Sequence, residues 1–212
     1  MLMRLYHHPI STNARRAVMT AHHLGLPLEL VQIDLSSADQ RKHLLALNPN
    51  EKIPVLVDGD FILWESCAIM QYLADKTPGQ TIYPTEMRAR ADVNRWLFWS
   101  TQHFAPAIAI FYWENFIKGL IGAGRPDPVE LQRGLVDLET FAGVLDGHLA
   151  QRQWVSGAGM TLADLALAAP LMAAEPGCVP LAQYGNLLAW FSRVQELDAW
   201  RQTALEEELA TA

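Results

Sequence analysis

The chain of 212 residues carries a formal charge of −7 and is half hydrophobic, which leaves room for two domains and a sizeable core. The acidic balance argues against a nucleic-acid or anionic-membrane surface, for which a basic stripe would be expected. No stretch has the uncharged apolar length needed to cross a bilayer, and Met1 to Tyr6 runs into His-His-Pro rather than a signal-peptide core, so a cytoplasmic protein is expected.

Leu2 to Tyr6 reads as a short strand, His8 to Thr12 as a loop turning through Pro9, and Asn13 to Leu24 as a helix ended by Gly25. Leu28 to Asp34 is predicted to be a second strand reached by a helical crossover, hence parallel to the first with a right-handed connection. Arg41 to Leu47 is a short helix. Val55-Leu56-Val57 and Phe61-Ile62-Leu63-Trp64 flank Asp58-Gly59-Asp60, a strong hairpin signal. A helix follows at once from Glu65-Ser66, with Ile69, Tyr72 and Leu73 at helical spacing. The order βαβαββα over the first 76 residues predicts a small mixed sheet with helices on its faces.

Thr77-Pro78-Gly79-Gln80 and Tyr83-Pro84 mark a linker over residues 78–86, after which strand signals stop. The remainder, 87–212, reads as all-helical. Glu86 to Lys118 is a long stretch expected to bend at Pro106, followed by a Gly- and Pro-rich segment from Gly119 to Pro128. Val129 to Leu149, Leu162 to Ala174, Leu187 to Glu196 and a short helix after Asp198 complete it. Thr161-Leu162-Ala163-Asp164 is a capping-box variant, with Met160 placed to staple onto Leu165. Cys67 and Cys178 form no C-x-x-C pair and are expected to be buried, inert thiols in a reducing compartment.

Two places carry chemistry. Unpaired N–H groups and the positive dipole end at the helix start near Ser66 suit a carboxylate, and Glu65 beside them suits an ammonium, so the pair fits an amino acid's zwitterionic end. The competing reading makes Ser66 an N-cap and Glu65 a solvated first-turn acid. Ser11, Thr12 and Asn13 stand at the start of the first helix, next to a strand end where α/β sheets bind ligands. No neighbouring His or acid makes Ser11 a nucleophile, so a hydrogen-bond donor role, or a plain helix cap, is expected.

The loop HPISTNARRAV, the segment NPNEKIPVL, ESCAI, and a following helical domain with TLADLAL resemble, in this order and spacing, the cytosolic glutathione transferases across nearly the whole chain. The resemblance implies an α/β thioredoxin-like domain, 1–77, followed by an all-α domain, 87–212. The first loop is similar to that of the phi class and related bacterial enzymes, which implies Ser11 as the hydroxyl activating the glutathione sulfur, with Asn13 as a second contact. It further implies that Ile53 offers its backbone to the glutathione cysteine, that Pro54 is cis, and that Glu65 and Ser66 hold the γ-glutamyl ammonium and carboxylate. Lys52 and Gln40 would hold the glycine carboxylate.

Departures narrow the reading. The loop lacks the Cys of beta and omega relatives and the zeta-class S-S-C, and His7 rather than Tyr6 stands at the catalytic Tyr position of the alpha, mu and pi classes. Glu51 stands near where some classes place an aromatic key, so the homodimer implied by the family would need a different lock. Trp96, Trp99 and His103 recur at helical spacing, which burial alone explains. The resemblance nonetheless nominates Ile10, His103, Phe104 and Phe111 for the pocket of a small hydrophobic electrophile. The pairs His7-His8 and His22-His23 have no Cys or acid cluster beside them, and no metal is expected. The implied activity is conjugation of glutathione, as co-substrate, to that electrophile in detoxification. Glutathione-dependent peroxide reduction or dehalogenation, and a non-catalytic interaction module, are the alternatives.

Overall fold

The computed structural model describes residues 2–204, which divide into two compact units at Gln80 and Thr81. The first contains β1 (Met3–His7), α1 (Thr12–His23), β2 (Leu28–Gln32), α2 (Ala38–Leu47), β3 (Val55–Asp58), β4 (Phe61–Trp64) and α3 (Ser66–Asp75). Its sheet has the order β2-β1-β3-β4. β1 and β2 pair in parallel, while β3 pairs antiparallel to both β1 and β4, as a crossover followed by a hairpin requires. Strand alternation sorts the core into two layers. Met3, Leu5 and Leu56 face Ala17, Val18 and Ala21 of α1 and Ile69 and Leu73 of α3. On the other face Tyr6, Val55 and Val57 pack with Leu44 of α2. The hairpin turn uses Gly59 at φ 64, a conformation that favours glycine. Asp58 ties the hairpin to α3 by accepting from the Tyr72 hydroxyl (2.7 Å) and Lys76 Nζ (2.6 Å).

The second unit is helical among its described residues: α4 (Met87–Trp99), α5 (Ala105–Tyr112), α6 (Lys118–Leu120), α7 (Pro128–Leu149), α8 (Leu162–Ala168), α9 (Gly185–Gln195) and α10 (Asp198–Arg201). Two findings add to the sequence reading. Ile82 and Tyr83, read as linker, are buried. The Ile82 carbonyl accepts from Leu162 N–H at 2.9 Å, the Tyr83 hydroxyl donates to Asn94 Oδ1 at 2.9 Å, and the Arg90 guanidinium lies 3.9 Å from the Tyr83 ring centre. The second concerns Pro106, where a bend was expected. A π-turn at Ser100–Phe104 precedes it, closed by Ala105 N–H donating to the Ser100 carbonyl, and another follows at Trp113–Ile117. A proline has no N–H for the helical ladder, and the wider turn absorbs that gap.

The capping box at the start of α8 is present and belongs to a larger network. Asp164 is fully buried. Its Oδ1 accepts from Val155 N–H and Trp190 Nε1–H, both at 2.9 Å, and its Oδ2 from Thr161 N–H at 2.8 Å and the Thr161 hydroxyl at 3.2 Å. Burial pushes the Asp164 pKa up, and the surrounding donors oppose that shift. Losing a cap costs about 1 kcal/mol, whereas each buried donor left unsatisfied costs about 1–3 kcal/mol. Thr161→Ala should therefore lower stability by about 1 kcal/mol and Asp164→Ala by about 3 kcal/mol or more in urea denaturation. Equal losses for the two would show that Asp164 is only half of a local cap.

Candidate active site

Strand register gathers the candidate residues of the first unit. β1 ends at His7, opposite Gln32 at the end of β2, and Tyr6 lies opposite Val55, the first residue of β3. Val55 in turn lies opposite Trp64, the last residue of β4. The loop 8–11, the segment 53–54 and residue 65 therefore occupy one end of the sheet. Helices α1 and α3 begin at that end, and α2 follows the strand that finishes there. Their N-terminal N–H groups and dipoles favour an anion.

Ser11 is the N-cap of α1. Its Oγ accepts from Ala14 N–H at 3.1 Å, so the competing cap reading is correct as far as it goes. A hydroxyl that accepts a backbone hydrogen bond still holds its own proton for donation, and capping thereby orients Ser11 as a donor. The loop is fixed further by Ser11 N–H donating to the His8 carbonyl (3.0 Å) and Ile10 N–H to His8 Nδ1 (3.3 Å). That second bond needs a neutral His8, and burial lowers the His8 pKa. Asn13 is exposed on the first turn, with its Oδ1 bonded to Arg16 Nη1.

At the other flank, the sequence reading of Ser66 as N-cap is corrected. Glu65 holds the N-cap position at φ 74, ψ 112, with no side-chain cap bond, and Ser66 is the first helical residue. β4 ends at Trp64 and α3 begins at Ser66, so a single residue makes the turn, and positive φ is the geometric result. Ser66 is buried, with Oγ 3.4 Å from Arg16 Nη1, while Glu65 remains exposed. The Ile53–Pro54 peptide is cis. Lys52 is exposed, and its carbonyl accepts from Asn48 Nδ2 at 2.7 Å. Gln40 is half-buried and its Oε1 accepts from Asp34 N–H at 2.8 Å, leaving only its amide N–H groups for a carboxylate.

Sequence reasoning missed two residues here. Asn48 is buried and accepts from both Asn50 N–H and Asn50 Nδ2 at 3.0 Å, which fixes the loop before Lys52. Its place in Asn-Pro-Asn is the turn signal that marks it. Arg16 is buried and joins Asn13 to Ser66. Its partner lies fifty positions away, beyond any local signal.

The electrophile candidates fare unevenly. Ile10 is half-buried beside Ser11. In the second unit His103 is exposed, with its ring centre 5.0 Å from that of Phe141. Phe104 has no exposed surface and stacks on Trp99. Phe111 is buried at the seam of α5 and α7, where a Cβ on Gly134 would lie 3.2 Å from its ring. Phe104 and Phe111 are thus buried within the second unit. Arg95, Trp96, Trp99, Val144 and His148 line a separate cleft of about 430 Å³. In that cleft the His148 Nε2–H donates to the Val155 carbonyl at 2.8 Å. Tyr6 is buried in the core. Cys67 is half-buried, with its thiol pKa raised by burial, and Cys178 is exposed rather than buried. Among the described residues no cluster of three or more His, Cys, Asp or Glu is arranged for a metal, and no helix is long and apolar enough to cross a membrane.

A four-stranded mixed sheet with helices on both faces, followed by a helical unit, defines a two-unit thioredoxin-like class whose candidate residues lie at one end of the sheet. Known proteins agree. The glutathione S-transferase N-terminal domain family matches residues 1–75 and the corresponding C-terminal domain family residues 128–198. Glutathione S-transferase 3 of Zea mays is 34% identical over 209 residues, spanning 95% of this chain and 92% of that protein. A glutathione S-transferase from Pseudomonas fluorescens aligns with a TM-score of 0.83 at 32% identity, covering 94% of this chain and 97% of that one. A glutathione S-transferase I bound with lactoylglutathione gives 0.87 at 25% identity, covering 96% and 99%. The chain belongs to the glutathione S-transferase family.

Backbone strain at Glu65 is separable from its carboxylate. Glu65→Gly and Glu65→Ala both remove the charge, yet only Gly relaxes at positive φ. The Gly variant should be the more stable of the two by about 1 kcal/mol in thermal unfolding, with the two equally weakened in glutathione binding by calorimetry. A less stable Gly variant would show that residue 65 is unstrained.

Proposed function

We propose that the protein activates the thiol of reduced glutathione as a thiolate and adds it to a small hydrophobic electrophile, a detoxifying conjugation carried out in the cytoplasm. The observation that carries this reading is the Ser11 hydroxyl, capped from below by Ala14 N–H and held at the same end of the sheet as the start of α3. Glu65 receives the γ-glutamyl ammonium. Ser66 and the first-turn amides of α3 receive its carboxylate, the backbone of Ile53 beside Pro54 receives the cysteine, and Lys52 with Gln40 receives the glycine carboxylate. The thiol loses its proton to solvent, and the Ser11 hydroxyl donates to the sulfur. Each unit by which the thiol pKa falls corresponds to about 1.4 kcal/mol of preferential thiolate stabilisation. The thiolate then forms a carbon–sulfur bond as the electrophile's leaving group departs, and holding both reactants together removes the entropic cost of their encounter. Within the first unit, Ile10 beside Ser11 is the candidate for the electrophile's surroundings.

Donation and capping by Ser11 can be separated experimentally. Ser11→Ala removes both, lowering stability by about 1 kcal/mol and, in conjugation of an aryl halide, lowering kcat/KM at neutral pH by about tenfold or more through a raised thiol pKa. Ser11→Asp keeps a capping acceptor but has no proton to give, so its stability should be retained and its activity lost. Full activity in either variant would remove Ser11 from the mechanism.

The protein acts as a homodimer on this reading. β4 is an edge strand, and Phe61, Ile62 and Trp64 on it remain 45%, 41% and 37% exposed, an apolar edge that folded proteins cover. Light scattering after gel filtration should give twice the chain mass. Phe61→Glu combined with Trp64→Glu should give the monomer mass, and a dimer unaffected by that pair would place the contact elsewhere.

A further inference from the structure

We propose that His8 is a positioning residue for the thiol-activating loop, and that the loop keeps its working shape only while the imidazole is neutral. This rests on the reading that glutathione is the ligand. β1 ends at His7, and the chain turns at once through His8, Pro9, Ile10 and Ser11 into α1. Two consecutive N–H groups of that turn reach the same residue. Ser11 N–H donates to the His8 carbonyl at 3.0 Å, closing a β-turn with Pro9 at its second position. Ile10 N–H donates to His8 Nδ1 at 3.3 Å. Asp or Asn usually makes this second bond, its side chain accepting from the N–H two residues on. His8 substitutes a ring nitrogen for that oxygen. One side chain thereby helps to place both Ser11, the proposed donor to sulfur, and Ile10 beside it.

Unlike an amide oxygen, this acceptor is lost on protonation, and imidazole titrates near neutral pH. A neutral ring accepting at Nδ1 carries its proton on Nε2, whereas imidazolium has N–H on both nitrogens and no acceptor. Protonation therefore sets a ring N–H against the N–H of Ile10 and breaks the bond. Neighbouring charges decide where this happens. Ile33 N–H donates to the His7 carbonyl at 2.8 Å, which continues the pairing of β1 with β2 and brings Asp34 close to His8. Burial lowers the His8 pKa, and the Asp34 carboxylate, which favours imidazolium, opposes that shift. His7, the neighbour on β1, is itself held low by burial and by His8. Arg41 of α2 reaches the same segment but donates to the carbonyls of Leu35 and Ser36. The turn is thus intact at neutral pH and loses its side-chain bond in acid.

The test has one arm without glutathione and one with it. In nitrogen-15 NMR of the ligand-free protein, His8 should be the Nε2–H tautomer at neutral pH. Protection of the Ile10 amide from hydrogen exchange should fall with the same midpoint as the imidazole titrates, and Asp34→Asn should move both midpoints down together. In conjugation of an aryl halide, kcat/KM should fall in acid more steeply than ionisation of the bound thiol alone allows. His8→Ala should lower kcat/KM at neutral pH by about fivefold, the usual worth of one hydrogen bond, and leave a single-ionisation limb. His8→Asn should recover most of that loss, because its Oδ1 accepts from Ile10 N–H, while keeping the shallow limb. Ile10 protection that ignores the His8 titration, or an Nδ1–H tautomer, overturns the proposal. So does a parental acid limb in His8→Asn, or an Asn variant no more active than the Ala variant. A protein whose Ile10 protection follows His8 but which neither binds nor conjugates glutathione overturns the functional reading instead.

Discussion

A single residue connects the last strand of the sheet to the helix that follows it, and the binding end of the first unit is organised around that constraint. With Trp64 ending β4 and Ser66 opening α3, Glu65 must reverse the chain alone. It does so at φ 74, in a region whose cost to a side-chain-bearing residue is about 1–3 kcal/mol. The strain has a structural return. α1 and α2 begin with Ser11 and Ser37 capping their own first turns, whereas α3 has no side-chain cap. Its first-turn N–H groups receive no side-chain cap, at the point where the helix dipole is most positive. A looser connection with a conventional cap would satisfy those groups internally and close the site.

The site is better described by which atoms already accept than by which residues surround it. Ser11 accepts from a backbone amide, Asn13 from a guanidinium, and Ser66 from the same guanidinium. Ser11 is left with a hydroxyl proton to give, and Asn13 with its amide N–H groups. Such pre-oriented donors stabilise developing negative charge without reorganising during reaction, which is what makes fixed dipoles more effective than water at a thiolate. Neutral imidazole at His8 serves the same end by holding Ile10 N–H.

Elements written in short-range sequence signals were legible beforehand. The Asp58-Gly59-Asp60 turn and the Thr161–Asp164 capping box depend on neighbours within a few positions, and both are found where sequence chemistry puts them. The competing reading of Ser66 as an N-cap fails, although Ser before an apolar run is usually a cap. The actual cap position is set by where β4 runs out, a property of sheet register that no local pattern contains. Arg16 was invisible for a related reason, since its function as a bridge exists only once α1 packs on α3. Along the long helical run, the π-turn at Ser100–Phe104 inserts an extra residue into one turn. Burial nonetheless keeps ordinary helical spacing through Val93, Leu97, Ser100 and Phe104, while His103 is exposed.

Net charge illustrates how far a bulk property reaches. A chain of −7 repels an anionic peptide at long range, yet at physiological ionic strength that repulsion fades over about 8 Å. At the end of the sheet where α1 and α3 begin, the nearest positive charges are the buried Arg16 guanidinium and the helix N-termini, and burial screens the guanidinium less than a surface charge. Acidity therefore disfavours a polyanionic surface partner, which must meet the outer field over a wide area, while leaving a single small anion free to bind at one end of the sheet. By the same reasoning, surface charges far from loop 8–11 and the start of α3 reach an anion at that end of the sheet only through a screened field, whereas a donor at that end acts at contact distance.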